Sequence, residues 1–122
     1  MKTAIFLGAV SLVVSGPLSA QPAVVASAMP KASPVSLFSD ADYPASALAA
    51  GEEGRVDFRL TVGPNGRVTD CVVTASSGSA ALDGATCRLM ISRSRFTPAR
   101  DSTGNPVEGS FESNLVWHIP RG

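Results

Sequence analysis

Few side chains in this chain of 122 residues have the types and spacing that catalysis needs. Nucleophilic catalysis needs a base within hydrogen-bond reach of a serine or cysteine, and His118 is the only histidine. It follows Trp117 near the C-terminus, where we expect a surface position on an edge strand. Ser76-Ser77-Gly78 lacks the Gly-x-Ser-x-Gly pattern of a nucleophile elbow and is typical of the turn after a strand. We predict no catalytic residue.

Two other short patterns are better explained by structure than by chemistry. Glu52-Glu53 has the residue types of an acid–base pair, but adjacent residues before a strand point apart. We therefore expect both carboxylates to be solvated. Gly63-Pro64-Asn65-Gly66 is too short for a phosphate loop and precedes a strand, whereas a phosphate loop precedes a helix. The sequence predicts no enzyme, no cofactor and no metal site.

The N-terminal 20 residues have the features of a signal peptide. Lys2 precedes an apolar run over residues 4–14, Gly16-Pro17 breaks the helix, and Ala20 ends a small-residue cleavage position. An uncleaved inner-membrane anchor is the alternative, but a spanning helix needs about 20 mostly apolar residues. Polar residues and Pro17 dilute this run beyond residue 14. We predict export with cleavage after Ala20.

The two cysteines are informative if the chain is exported. Cys71 and Cys87 are too far apart for a Cys-x-x-Cys redox motif, and few zinc-ligand types lie near them. In an oxidising compartment a pair of thiols usually forms a disulfide. Closing this loop of about 15 residues is worth on the order of 3 kcal/mol in the chain-entropy model. We predict a structural disulfide.

The composition is that of one small, neutral domain preceded by a tail. Ten Lys and Arg balance ten Asp and Glu, so nothing in the net charge indicates nucleic-acid binding. Residues 21–39 are rich in Ala, Ser, Pro and Val without periodicity, which indicates a linker. We place the folded domain at residues 40–120.

The apolar pattern of this domain predicts two helices and three strands. Helices are indicated where good helix formers lie between capping residues, and strands where apolar and polar residues alternate. In the second strand the apolar alternation slips by one residue, which predicts a β-bulge near Thr69-Asp70. Trp117 has the parity of the core-facing residues in the last strand, and the alternative is a position where an added peptide rests on its ring. The predicted order is a helix from Tyr43-Pro44 to Ala50, a strand over Arg55 to Val62, a strand over Arg67 to Ala75, a helix over Ala80 to Arg93 and a strand over Val107 to Ile119.

These elements predict an α+β fold. A three-stranded antiparallel sheet with both helices packed on one face would bury every apolar stripe. On the second helix that stripe is Leu82, Ala85 and Leu89.

The chain resembles the C-terminal domain of the TonB family. The resemblance covers about 80 residues, from Asp40 to Pro120, and agrees with the predicted element order. The residues that carry it are Tyr43-Pro44, Ala47, Gly54-Arg55-Val56, Phe58, Val62, Gly66-Arg67-Val68, Val73, Ser76-Ser77-Gly78, Leu82-Asp83, Ala85, Phe96, Pro98-Ala99, Gly104, Pro106-Val107 and Trp117.

The resemblance implies a periplasmic protein-binding function in Gram-negative bacteria, related to TonB-dependent transmembrane transport. Such domains hold the TonB box, a short N-terminal peptide of outer-membrane receptors, by strand addition beside their last strand. The segment just before Tyr43 is expected to assist. The implied peptide-binding residues are Ser110, Phe111, Glu112, Ser113, Asn114, Leu115, Val116 and Trp117.

The N-terminal region departs from the pattern of a complete energy transducer. The family's membrane helix carries a Ser and a His that contact its motor, and residues 1–30 contain no His. A linker of about 20 residues at roughly 3.5 Å each reaches only about 70 Å. Energy transduction is therefore not implied, although peptide binding is. The alternative function is an envelope accessory or structural module that binds peptidoglycan or another periplasmic protein, and self-association through edge strands is also open.

Overall fold

The structure is a computed structural model that describes residues 23–120. The predicted signal peptide over residues 1–20 lies outside the described residues. Two 3-10 turns, Pro34–Leu37 and Asp40–Asp42, precede the first helix. The helices and strands in chain order are β1 (Val24–Ala26), β2 (Met29–Pro30), α1 (Ala45–Ala49), β3 (Gly54–Val62), β4 (Val68–Ala75), α2 (Ala80–Arg93), β5 (Phe96–Thr97), β6 (Ala99–Asp101), β7 (Pro106–Val107) and β8 (Gly109–Trp117).

The centre of the domain is an antiparallel sheet of three strands in the order β4-β3-β8. The pairing of β3 with β8 is regular from Gly54↔Trp117 to Val62↔Gly109. Alternate residues of β3 turn one apolar face toward the helices, and these side chains are buried: Val56, Phe58, Leu60 and Val62. The predicted α+β fold is confirmed.

The hairpin of β3 and β4 contains the predicted bulge. Thr61 pairs with Asp70 and Val62 pairs with Val68, so Thr69 is an extra residue on β4. A second register shift, for which the apolar pattern gives no signal, leaves Thr74 without a partner on β3, because Asp57 pairs with Ala75 and Phe58 with Val73. A bulge bends and twists a strand locally, so β4 is irregular at both ends.

The second helix, α2, has the predicted bounds and the predicted cap. The Ser79 hydroxyl accepts a hydrogen bond from the Leu82 backbone N–H at 3.2 Å. Leu82 and Ala85 are buried as predicted, but Leu89 is only half-buried, and Met90 lies in the core in its place. The buried residues of α2 are Leu82, Ala85, Thr86 and Met90, which span an arc of about 140° at 100° per residue, and this arc faces the core. No helix within residues 23–120 is long and apolar enough to cross a membrane.

The last predicted strand is two strands in the structure. Val107 pairs with Ala99 in β6, whereas Gly109 pairs with Val62 in β3. The chain therefore changes its pairing strand between Val107 and Gly109. At this point β8 passes close to β6, because a Cβ built on Gly109 would lie 2.8 Å from the Ala99 Cβ. The single strand predicted over Val107 to Ile119 was wrong in this respect.

Residues 24–38, which we call the N-terminal arm, pack against the domain. β1 pairs with β6, β2 pairs with β5, and the Lys31 N–H donates to the Arg95 carbonyl at 2.9 Å. Ala28 is buried at 3% exposure. Part of the stretch that composition assigned to a linker, between residues 24 and 31, is therefore paired with the domain through its backbone.

Candidate functional site

The two cysteines form a disulfide that fixes one side of the sheet. Cys71 of β4 and Cys87 of α2 are joined, with their Cα atoms 5.5 Å apart. This confirms the predicted bond. Since β4 and β8 are the two outer strands of the sheet, the disulfide ties α2 to the edge opposite β8.

The strand β8 forms the other edge of the sheet. Within residues 23–120 no strand pairs with its outer side. In an antiparallel pair every second residue turns its N–H and C=O away from its partner, so β8 offers a row of backbone donors and acceptors over its length. The structure brings the predicted peptide-binding residues 110–117 together as one continuous stretch of this strand.

The side chains of β8 alternate between the core and solvent as the sequence predicted. Leu115 and Trp117 are buried and Phe111 is half-buried, whereas Glu112, Asn114 and Val116 are exposed. One face of β8 is packed on the core and the other is exposed to solvent. The core contacts hold the strand in place, and its outer backbone groups remain accessible.

Trp117 anchors the C-terminal end of β8 in the core. Its Nε1 donates to the Thr86 Oγ1 at 2.8 Å, and that hydroxyl donates to the Leu82 carbonyl at 2.8 Å. The rings of Phe38 and Tyr43 each meet the indole edge-on, with centroids 5.3 Å away. The predicted core position of Trp117 is confirmed. Thr86 and Phe38 were missed, because neither residue type by itself indicates a partner for a distant indole.

An ion pair fixes the segment just before Tyr43 beside this end of the strand. The Arg93 guanidinium binds both Asp42 carboxylate oxygens, at 2.7 and 2.8 Å, and also donates to the Leu37 carbonyl at 2.9 Å. The hydrogen bond from Arg93 lowers the pKa of Asp42 to about 2, with the backbone N–H of Ser39 contributing. A bidentate pair of this kind orients both partners, so the segment has a defined place next to β8.

A small pocket lies between that segment and the end of β8. We call it the C-terminal pocket, and its volume is about 150 Å³. Val35 and Val116 both line it and are exposed at 66% and 62%. The pocket is lined by Val35, Phe38, Ser39, Asp40, Tyr43, Leu115, Val116, Trp117 and His118.

A larger pocket lies at the other end of β8. We call it the N-terminal pocket, and its volume is about 440 Å³. Residues of the N-terminal arm, of β3, of β6 and of the start of β8 all contribute to its lining. The pocket is lined by Val24, Ser27, Ala28, Thr61, Ala99, Glu108, Gly109 and Ser110.

The two adjacent glutamates have structural partners, so the expectation that both are simply solvated was wrong. Glu52 accepts a hydrogen bond from the Ser79 hydroxyl at 2.7 Å. Glu53 accepts one from the Ile119 N–H at 2.7 Å and lies 3.2 Å from the His118 Nδ1. These contacts join residues far apart in sequence, and local pattern carries no signal for them. His118 itself is exposed, as predicted.

The serine cluster after β4 is a turn and helix cap. The hydroxyls of Ser76 and Ser77 donate to the Asp83 carboxylate at 2.5 and 2.7 Å. Burial would raise the pKa of Asp83, but these hydrogen bonds outweigh it and lower the pKa. Among the described residues, no three His, Cys, Asp or Glu side chains are grouped as metal ligands.

The fold and the site together define a small α+β domain whose regular last strand has an open edge and a pocket at each end. The family model described as Gram-negative bacterial TonB protein C-terminal matches residues 39–119, and the chain belongs to this family. The solution NMR structure of the Pseudomonas aeruginosa TonB C-terminal domain is similar, with 31% sequence identity and a TM-score of 0.52. The match covers 66% of this chain and 79% of that one. No curated protein matches the chain.

Proposed function

We propose that this domain binds extended peptide segments of outer-membrane receptors by adding them as a strand to the outer edge of β8. TonB C-terminal domains are protein-interaction domains related to TonB-dependent transport, and the chain belongs to that family. The observation that carries the proposal is the open edge of β8, which is paired with β3 from Gly109 to Trp117 without a register shift. Strand addition takes its affinity from backbone hydrogen bonds and its specificity from pockets for side chains.

The regularity of β8 favours it over the opposite edge. An added strand can form an unbroken ladder only along a strand without bulges, and bulges are a common protection of sheet edges. The register of β4 shifts at Thr69 and again at Thr74. The two edges of this sheet are therefore different, and β8 is the one suited to a partner.

Exposed charge on β8 is compatible with this use. Glu112 lies across from Arg59 of β3, and their side chains are 3.9 Å apart. Charged side chains along an edge discourage uncontrolled pairing with other copies. The Glu112 carboxylate is a charge of this kind on β8.

The proposed place of action is the periplasm. Membership of the Gram-negative TonB family supports this location. The predicted signal peptide over residues 1–20 would deliver the domain there, and mass spectrometry of the mature N-terminus tests that prediction. A mature chain that begins at Gln21 supports cleavage, and one that retains Met1 or Lys2 supports a tether.

An NMR titration tests the peptide-binding function. The ¹⁵N-labelled chain is titrated with N-terminal peptides of outer-membrane receptors from the same organism. Amide shifts are expected along residues 109–118 and 35–43, while the amides of β4 serve as an internal control for nonspecific edge pairing. The absence of shifts at millimolar peptide would reject receptor-peptide binding.

A further inference from the structure

Three cationic residues lie side by side where α2 leads into β5. The Lys31 N–H donates to the Arg95 carbonyl at 2.9 Å, so these two residues continue the pairing of Pro30 with Phe96. On its other side, Arg95 pairs with Arg67 in an antiparallel bridge. Residues directly opposite each other share a face of the sheet, with Cα atoms about 4.5–5.5 Å apart. Lys31, Arg95 and Arg67 therefore form a row about 10 Å long, which we call the basic row.

The basic row faces solvent and carries positive charge that its own surroundings do not neutralise. Phe96, next to Arg95, is buried at 3%, whereas Lys31, Arg67 and Arg95 are exposed. None of the three forms an ion pair with another residue in the part of the chain that the structure describes. Like charges directly opposite each other on neighbouring strands are destabilising. A bound anion would remove that repulsion, so the row has the charge and spacing of an anion-binding surface.

The guanidinium of Arg95 is held at the end of α2. Its Nη1 donates to the carbonyls of Ser92 and Ser94 at 3.2 and 2.8 Å. A cation is favoured at this place, because the last carbonyls of a helix carry partial negative charge. A guanidinium has five N–H donors, and within residues 23–120 only those of Nη1 have acceptors. The other donors of this fixed cation are therefore available to an external anion.

An exposed methionine lies beside the basic row. Met29 pairs with Thr97 and is two residues from Lys31 on the same strand, so both side chains turn to one face. Met29 is 61% exposed. Cations next to an exposed apolar side chain are typical of surfaces that lie at a membrane interface, where the cations meet headgroup phosphates and the apolar group enters the boundary with the acyl chains.

We infer that the basic row and Met29 dock this domain on a membrane surface that carries anionic phospholipids. Neither the N-terminal nor the C-terminal pocket is lined by Met29 or by a residue of the row. A small free ligand is usually held in a concave site, whereas an open row of cations fits a planar array of headgroup phosphates. This docking goes beyond peptide binding and uses no residue of β8.

Co-sedimentation with lipid vesicles tests the inference on the full chain. The vesicles are phosphatidylcholine with or without about one third phosphatidylglycerol, at an ionic strength of about 0.15 M. Lys31→Gln/Arg67→Gln removes two charges of the basic row. The matched control is Arg55→Gln/Arg59→Gln, which removes two exposed charges of β3. All proteins keep the same N-terminus, so a difference between them reports the substituted surface.

Lys31→Gln/Arg67→Gln should lower the partition constant on phosphatidylglycerol vesicles by about 30-fold, because each cation near an anionic surface contributes separately. The control should change it by less than about threefold. Met29→Ser should weaken binding to the same vesicles, and Lys31→Arg/Arg67→Lys should bind like the parent because both charges remain. Vesicles of phosphatidylcholine alone should not distinguish the charge variants from the parent.

Three results would overturn the inference. The first is equal binding of the parent and Lys31→Gln/Arg67→Gln to phosphatidylglycerol vesicles, or an equal loss in Lys31→Arg/Arg67→Lys. The second is displacement from the vesicles by inorganic phosphate at the same phosphate concentration, which would indicate a site for a free anion. The third is binding of polyglutamate without binding of vesicles, which would indicate an acidic protein partner. Each of these results leaves peptide binding at β8 unaffected.

Discussion

The indole N–H of Trp117 donates to the hydroxyl of Thr86 across 2.8 Å, and this bond joins the end of β8 to the centre of α2. Thr86 is fully buried and Trp117 is 5% exposed, so neither group has water as an alternative partner. The open edge of β8 is thus continuous with a rigid, hydrogen-bonded core. An edge strand that is held this firmly on its inner face loses little further freedom when a partner strand adds to its outer side.

Replacing Thr86 with valine tests this bond. Thr86→Val keeps the shape but leaves the Trp117 N–H unsatisfied in the core, which should lower the free energy of unfolding by about 1–3 kcal/mol. Urea denaturation measures the change. Thr74→Val, at an exposed position of β4, is the control and should stay within about 0.5 kcal/mol. A Thr86→Val protein as stable as the parent would show that the bond contributes nothing.

Reduction of the disulfide should lower the free energy of unfolding and leave the peptide affinity of β8 nearly unchanged. Breaking the Cys71–Cys87 bond releases α2 from β4 and should cost about 3 kcal/mol of unfolding free energy. Because β4 lies across the sheet from β8, peptide affinity at 20 °C should change less than about twofold while the protein stays folded. Denaturation and calorimetry with and without reductant measure both quantities. The double variant Cys71→Ala/Cys87→Ala controls for direct effects of the reductant, and a large loss of affinity on reduction would contradict the separation of the two edges.

The Asp42–Arg93 pair gives stability a specific dependence on acid. The pKa of Asp42 is about 2 in the folded chain, below its ordinary value of 3.8. A depressed pKa contributes stability that is fully present above the unfolded value and is lost as the pH falls through the folded value. The stability difference between the parent and Asp42→Asn should therefore be constant above about pH 5 and shrink between pH 4 and pH 2.

Thermal unfolding of both proteins across that range measures this difference. Arg93→Met removes the largest cause of the lowered pKa and should reduce the acid-dependent part, leaving what the Ser39 hydrogen bonds contribute. A difference that stays constant down to pH 2 would rule out the ion pair as its source.

Gly66 should be intolerant of any side chain. Its φ is +83°, and a Cβ there would lie 2.2 Å from the Phe96 carbonyl oxygen. Gly66→Ala therefore combines an unfavourable backbone conformation with a clash, and should cost more than the roughly 1 kcal/mol of the conformation alone. Gly104→Ala separates the two effects, because its φ is +84° and nothing lies within 4 Å. Equal losses in the two variants, measured by denaturation, would show that the backbone at Phe96 yields.

The features that the sequence predicted correctly depend on residues that are close together in the chain or on one matching pair. The bounds of α2 follow from the Ser79 cap and helical composition, and the bulge at Thr69 follows from a slip in apolar alternation. The disulfide follows from two cysteines in a chain with the features of export. In each case the residues that decide the structure lie within one element or belong to a single pair of matching type.

The contacts that position the candidate site were beyond such reasoning. Phe38 and Ala28 lie in a stretch without periodicity, yet one packs on Trp117 and the other is buried beside Gly109. Glu53 meets Ile119 across 66 residues of sequence. These contacts form only when the folded sheet brings distant segments together, so neither composition nor local periodicity predicts them.

Strand addition to β8 is tested most directly by measuring intermolecular backbone NOEs between a bound receptor peptide and the labelled chain. Strand addition predicts a regular series of contacts between peptide backbone protons and those of residues 109–117, with none to β4. Contacts that involve only side chains, or that fall on β4, would contradict binding at the edge of β8.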